Sequence, residues 1–314
     1  MTRESVDVAS HRGTVRRMHF ERFHVILHLL KATRPHEWIK NLFVLAALVF
    51  SGHLFDLDYA SRAGLALVAF ILLSAAIYLL NDICDRDRDR EHPQKRHRPI
   101  ASGNLPIPVA IVAAILFATI AIWLGFRLDA RLGWTACIYV IQNLAYSFAL
   151  KNVVILDVMI VATGFLLRAV AGAFAIDVTI SSWFILCTML ISLFLGFVKR
   201  RQEVVLLADH AGQHRSILVE YEPRLLDQLI SVATAGTLVS YALYAMSPDV
   251  IQKSGTPHLY LTIPFVIYGL FRYLFLVYTR DGGGNPAVTI LNDFPMLLNG
   301  ALWAATFVGI LYFR

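Results

Sequence analysis

Charge is scarce in this chain. Only 16% of its 314 residues are Asp, Glu, Lys or Arg, while 57% are hydrophobic and the mean hydropathy is +0.61. That balance excludes an ordinary soluble domain. Cysteine is scarce too. Cys84, Cys137 and Cys187 fall near or within apolar stretches without a pairing pattern, which excludes a disulfide-stapled scaffold and leaves reduced, packing-type thiols. Cys84 lies in an acidic run, but one thiol beside carboxylates makes no zinc site. The first 40 residues are basic and lack an early apolar core, so no cleavable signal peptide is expected. A net charge of +6 and a pI near 9.3 would suit nucleic acid. The positions of the cations argue instead for membrane orientation, and no nucleic-acid partner is expected.

What the chain has in abundance is apolar runs of membrane-spanning length. Nine are predicted, at about 39–55, 63–81, 106–126, 132–150, 154–174, 182–199, 227–247, 259–279 and 288–312. The first is short enough to be tilted or partly interfacial. The expected fold is an all-α membrane protein, with residues 34–314 forming a single nine-helix domain around a cytoplasm-facing cavity. Residues 1–33 are expected to be a polar tail followed by an amphipathic helix. Within it, 16–31 puts Phe20, Phe23, Ile26, Leu27 and Leu30 on one side, which suits either the membrane interface or ordinary packing. With the N-terminus inside, the inner segments carry 21 of the 28 Lys and Arg residues and the outer ones 5. That bias predicts a multi-pass protein of the cell inner (plasma) membrane with a cytoplasmic N-terminus and its chemistry on the cytoplasmic side.

The second run ends in Asn81-Asp82-Ile83-Cys84-Asp85-Arg86-Asp87-Arg88-Asp89. Acids at this density beside hydrocarbon need a neutralising cation. In a continued helix Asp82, Asp85 and Asp89 share one face and Asp87 points away. Convergent carboxylates are hard oxygen ligands suited to Mg²⁺, and Mg²⁺ suits a diphosphate; the plainer reading is a solvated loop of Asp–Arg pairs. Lys95, Arg96 and Arg98 follow on a loop bounded by Pro93 and Pro99, where they can grip phosphate oxygens or serve only as inner-side anchors.

Other polar residues sit at the ends of apolar runs. Lys40 and Asn41 open the first, where Lys40 either snorkels to lipid or faces a site. Lys151 and Asp157 flank a short turn. Asp157, Gly164 and Arg168 lie on one helical stripe, which reads as a functional ion site or as a structural brace. Lys199-Arg200-Arg201 close the sixth run, where the helix dipole favours cations; a bound anion is the functional alternative, and Lys199 and Glu203 are spaced to pair. Gly282-Gly283-Gly284 lacks the lysine of a phosphate loop and reads as a turn.

The motif NDxxDxxxD at Asn81, Asp82, Asp85 and Asp89, within a nine-span pattern, resembles the UbiA superfamily of intramembrane prenyltransferases. Aromatic prenyltransferases of that superfamily carry a second acidic motif near the end of the sixth span, where this chain has Lys199 to Glu203 instead. RPxxWxKN (Arg34 to Asn41), the run from Asn81 to Gly103, AYSFxLK (Ala145 to Lys151) and KRxxE (Lys199 to Glu203) are similar to the branch that moves phosphoribose from 5-phosphoribosyl-1-diphosphate (PRPP) to a decaprenyl-type polyprenyl phosphate for cell-wall arabinose donors. The resemblance implies a magnesium-dependent phosphoribosyltransferase releasing diphosphate. For that mechanism, Asp82, Asp85 and Asp89 are expected to be the catalytic residues that hold Mg²⁺ with Asn81. Lys40, Asn41, Lys95, Arg98, Tyr146, Lys151 and Asp157 are expected on PRPP, and Arg168, Lys199, Arg200 and Glu203 on the lipid phosphate. The rival within the superfamily moves a polyprenyl group from its diphosphate to an aromatic or other acceptor. A rival from outside is a transporter that uses Asp157 and Arg168 as a relay.

Overall fold

The computed structural model describes residues 24–207, 216–279 and 286–313. The expected polar tail at 1–15, Phe20 and Phe23, and the turn at Gly282 to Gly284 lie outside the described residues. All of the regular structure described is helical. Thirteen α-helices follow in order: α1 (24–32), α2 (Ala46–Phe50), α3 (Leu57–Cys84), α4 (Arg86–Glu91), α5 (Ile107–Leu128), α6 (Ala130–Phe148), α7 (Leu156–Ala175), α8 (Ser182–Leu207), α9 (Pro223–Met246), α10 (Pro248–Ser254), α11 (Ile263–Thr279), α12 (Pro286–Leu291) and α13 (Phe294–Tyr312). Among the described residues seven helices are long and apolar enough to cross a membrane: α3, α5, α7, α8, α9, α11 with its 3-10 lead-in from His258, and α13.

The other two predicted segments differ from the expectation. Residues 39–55 are not one α-helix. A 3-10 helix covers Pro35–Leu45, α2 adds five residues, and a turn follows. Pro35 sets the entry, and Gly52, at φ +83°, stands in the turn that closes the segment. The segment at 132–150 is a helix, α6, but Gln142, Asn143 and Ser147 lower its hydropathy and bond backbone carbonyls.

The chain divides into two compact units, Met1–Lys40 with Val68–Leu124, and Asn41–Leu67 with Gly125–Arg314. In the first, Ala32, Leu79, Ile100, Leu105, Ala110 and Ala114 form a buried core, with Val25 and Leu29 of α1 packed against it. Ile26, Leu27 and Leu30, on the apolar side expected for this helix, are exposed. Leu105 donates its backbone N–H to the Pro99 carbonyl, and Arg90 donates to the Ala101 carbonyl at 3.0 Å. The loop carrying Arg98 is thus tied down on both sides.

In the second unit α7, α8, α9 and α11 pack around Val158, Phe194, Phe197, Leu226, Ile230, Leu270 and Tyr273. Two glycines allow close approach. A Cβ on Gly196 of α8 would lie 2.6 Å from Val158 of α7, and a Cβ on Gly172 of α7 would collide with the Val44 carbonyl. Small residues at such crossings are how helices pack in lipid. The polar face of α6 is used up here: Gln142 donates to the Ile160 carbonyl at 2.8 Å, which ties α6 to α7. Asp293 caps α13 by accepting from the Met296 N–H at 3.0 Å and is gripped by both arms of Arg272, at 3.1 and 2.8 Å.

Gly172→Ala should therefore cost about 1–3 kcal/mol through overpacking against an unyielding backbone. Gly64→Ala, with nothing within 4 Å of its added methyl, should be neutral or slightly stabilising. Melting temperatures of the two variants in detergent check this, and equal melting would refute the close-approach argument.

Candidate active site

Each unit carries its own cluster of buried charge. In the first, α3 passes into α4 with only one irregular residue. The Asp85 N–H still bonds the Asn81 carbonyl at 2.9 Å, and the Asp89 N–H bonds the Asp85 carbonyl at 2.8 Å. Asp82 and Asp89 consequently fall two turns apart on one face, at 2% and 3% exposure. Both bond the same nitrogen, Nη1 of Arg98, at 3.2 Å from Asp82 Oδ1 and 2.7 Å from Asp89 Oδ2. A second guanidinium, Arg34, pairs with Asp82 and lies over the Tyr78 ring, 5.0 Å from its centroid.

The predicted acidic face is thus assembled from Asp82 and Asp89. Asp85 turns toward Arg88, 3.9 Å away, and remains half-buried. Asn81 is half-buried beside them, while Asp87, as expected, is 91% exposed. Lys40 pairs with Glu37, and Lys95 lies half-buried in the loop before Arg98.

Among the described residues no three His, Cys, Asp or Glu side chains form a ready cage for a metal ion. The donor chemistry nonetheless fits Mg²⁺. Two buried carboxylates converge on one positive group, and Mg²⁺ is commonly held by one or two carboxylates, with waters and substrate phosphates completing its octahedron.

In the second unit the acid at the start of α7 is the centre. Asp157 is wholly enclosed. Its Oδ1 accepts from the Tyr221 hydroxyl at 2.6 Å, and its Oδ2 lies 2.5 Å from Arg200 Nη2. Arg200 also pairs with Glu203, and Lys199 stands 4.0 Å from Glu203 with about half of its side chain exposed. The spacing of Lys199 to Glu203 on α8 produces this pairing, as the sequence suggests. Removing one partner of a buried pair such as Asp157–Arg200 typically costs about 3–5 kcal/mol.

Arg168, one stripe along α7, is also buried. It donates to Asn41 Oδ1 at 2.8 Å, the Gly164 carbonyl at 2.9 Å and the Tyr139 hydroxyl at 2.6 Å, and it lies over the Tyr139 ring. Asn41, Asp157 and Arg168 are therefore committed to internal contacts, as the brace reading would have it. Tyr146 and Lys151, at the end of α6 and in the turn after it, are half-buried. A cavity of about 820 Å³ lies at the other end of this unit, lined by Ala173, Asp177, Phe184, Tyr244 and Lys253 among others. Its size does not mark the chemistry, because the cluster of Asp157, Arg200 and Tyr221 sits at the opposite end of α7.

Two residues of these clusters were missing from the expected set. Arg34 belongs to the RPxxWxKN run but has φ +54°, a left-handed conformation that a residue before proline rarely takes. That backbone bends the entry segment so that its guanidinium reaches Asp82, which residue spacing does not reveal. Tyr221 was overlooked because it is 64 residues from Asp157. Its hydroxyl accepts from the Ile155 N–H at 2.6 Å while donating to Asp157. Ile155 is itself at φ +68°, a strained position for a β-branched residue, so one hydroxyl pins both the strained turn and the buried acid.

These features define a polytopic helical membrane protein with paired buried charges at helix ends. The UbiA prenyltransferase family model matches residues 41–300, and the chain belongs to that family. Among curated relatives, a decaprenyl-phosphate phosphoribosyltransferase of Mycolicibacterium smegmatis is 36% identical over 91% of this chain and 92% of its own length. One from Mycobacterium tuberculosis is 34% identical over 88% and 92%. Among solved structures, a UbiA homolog from Archaeoglobus fulgidus bound to DMAPP and Mg²⁺ has a TM-score of 0.67 at 17% identity, covering 90% of this chain and 98% of that one. At that identity the likeness speaks for the fold alone.

Burial, and then the hydrogen bond to Asp157, push the Tyr221 phenol above the usual tyrosine range. The folded state thus prefers the neutral phenol. Its contribution is present in full below about pH 10 and is lost as pH rises beyond it, because only the unfolded chain then ionises. Tyr221→Phe should cost about 1–3 kcal/mol at neutral pH, and the gap to the parent should narrow above about pH 10. Thermal melts across pH test this; a gap that persists unchanged at high pH would contradict the assigned hydrogen bond.

Proposed function

We propose that this protein transfers 5-phosphoribosyl from PRPP to a polyprenyl phosphate of decaprenyl type, with release of diphosphate and dependence on Mg²⁺. The observation that carries the reading is the convergence of the buried Asp82 and Asp89 carboxylates on one cationic position. Similarity to named decaprenyl-phosphate phosphoribosyltransferases over about nine-tenths of both chains supports the choice of substrates. The cationic close of α8, in place of a second acidic motif, favours a phosphate held directly over a second metal-bound diphosphate.

In this reading Asp82 and Asp89 hold Mg²⁺, with Asp85 and Asn81 beside them. Bound there, the ion would supply charge neutralisation for the departing diphosphate. Arg34 pairs with Asp82 and orients it. Lys40, Lys95 and Arg98 are the first unit's cations for PRPP phosphates. The lipid phosphate oxygen bonds C1 of the ribose as the C1–diphosphate bond breaks, and the bonding pair leaves with the diphosphate. Oxocarbenium character develops on the ribose, and the neighbouring carboxylates stabilise it. A phosphate monoester is anionic at neutral pH, so no strong base is required.

Lys199 is the accessible cation for the lipid phosphate, backed by Arg200 and Glu203. The enclosure of Asp157 argues for a role through Arg200 and against contact with the ribose hydroxyls. Arg168 holds α6, α7 and Asn41 in register. The chain is read as nine spans, α6 and the broken 39–55 segment included, in the plasma membrane with the N-terminus and the chemistry on the cytoplasmic side.

Purified protein with labelled PRPP, polyprenyl phosphate and Mg²⁺ should yield a phosphoribosyl lipid, lose that activity with a chelator and regain it with Mg²⁺. Asp82→Asn should lower turnover by at least about a thousandfold while the protein still folds, and the exposed Asp87→Asn should stay within about threefold of the parent. Transfer of a prenyl group from its diphosphate to an aromatic acceptor, with no phosphoribosyl lipid, would establish the rival reaction.

A further inference from the structure

We propose that Arg98 is a displaceable counter-ion, holding Asp82 and Asp89 together when no divalent ion is bound and released by the ion to bind a donor phosphate. The inference rests on the reading of these carboxylates as the ion site and adds an order of events to it.

The geometry makes the two cations exclusive. One nitrogen of Arg98 bridges Asp82 Oδ1 and Asp89 Oδ2, at 3.2 and 2.7 Å. An ion bridging the same two oxygens must take the same volume, because Mg²⁺ holds oxygen ligands at about 2.0–2.1 Å. Both carboxylates are buried, so a guanidinium retained beside a divalent ion would face repulsion in a low-dielectric setting.

Arg34 and Arg98 differ in how they are held. Arg34 touches one of the two carboxylates and lies over the Tyr78 ring, 5.0 Å from its centroid. It can stay when the ion arrives. Arg98 touches both carboxylates, and its side chain is 28% exposed, so it has room to swing. Its backbone precedes Pro99 and the buried Ile100 and Ala101, which keeps the released guanidinium close to the site. A planar guanidinium freed there is suited to two oxygens of a phosphate. Ion binding would thus both fill the carboxylate site and arm the phosphate grip.

The test uses the full chain in detergent, with Mn²⁺ as the probe read by electron paramagnetic resonance in the absence of substrate, and thermal melting with and without ion. Arg98→Gln should bind Mn²⁺ at least about tenfold more tightly than the parent, melt lower without ion and gain more on its addition. With Mn²⁺ bound, the same variant should bind PRPP at least about tenfold more weakly. Opposite changes in ion and PRPP affinity are not expected of a residue that only braces the loop. Arg98→Lys, which keeps the charge but not the planar guanidinium suited to two phosphate oxygens, should fall between and decides the matter if the glutamine variant does not fold. Equal or weaker Mn²⁺ binding in these variants, with binding still abolished by Asp82→Asn, would overturn the displacement and leave the ion site standing. Mn²⁺ binding that is absent, or unaffected by Asp82→Asn, would remove the ion site itself.

Discussion

Burying charge next to hydrocarbon is the constraint on which this structure depends. A carboxylate or guanidinium removed from water needs a partner of opposite sign or a full set of hydrogen bonds. Asp82 and Asp89 share Arg98, Asp82 also pairs with Arg34, Asp157 is closed off by Arg200 and Tyr221, and Arg272 grips Asp293. Arg168 is met by neutral oxygens of Asn41, Gly164 and Tyr139. The pairings of Asp82, Asp89, Asp157 and Asp293 also lie at helix ends.

The pairings are not equivalent. Asp157 lies between a tyrosine that also pins a strained turn and an arginine that also meets Glu203, so moving it would disturb three elements at once. Such a network specifies one arrangement, and its charges are poorly placed to exchange partners. The pairs around Asp82 and Asp89 are of another kind. Both acids lean on arginines that keep roughly a quarter of their side chains exposed, 23% for Arg34 and 28% for Arg98. Partners with access to water can be exchanged for a ligand at lower cost. Packing supports this division, since close contacts at Gly172 and Gly196 hold the second unit's helices while the first unit's core secures the loop before α5.

Much of the fold was legible because apolar runs in a membrane protein are long and bounded by polar residues. Seven of the nine predicted segments correspond to helices of spanning length and hydropathy. Residues 39–55 and α6 depart from the pattern because local backbone geometry and internal polar partners, invisible to a hydropathy sum, govern them. At the site, helical spacing correctly put Asp82 and Asp89 on one face and Asp87 outside. It also put Asp85 on that face; Asp85 is the one irregular residue between α3 and α4 and lies 3.9 Å from Arg88. Arg34 reaches Asp82 only through a left-handed backbone, and Tyr221 reaches Asp157 across 64 residues, so neither partnership is encoded in periodicity.

By itself, the sequence determined that the chain is a helical membrane protein, which residues carry charge into its apolar runs and, through motif resemblance, the family to which it belongs. Those properties follow from local composition and from a helical repeat that is the same wherever the helix is placed. Only the tertiary structure decided which charges satisfy one another, because partner choice depends on how distant segments meet. It enclosed Asp157, Arg168 and Asn41, left Lys199 accessible, and joined Asp82 to Asp89 through a single arginine nitrogen.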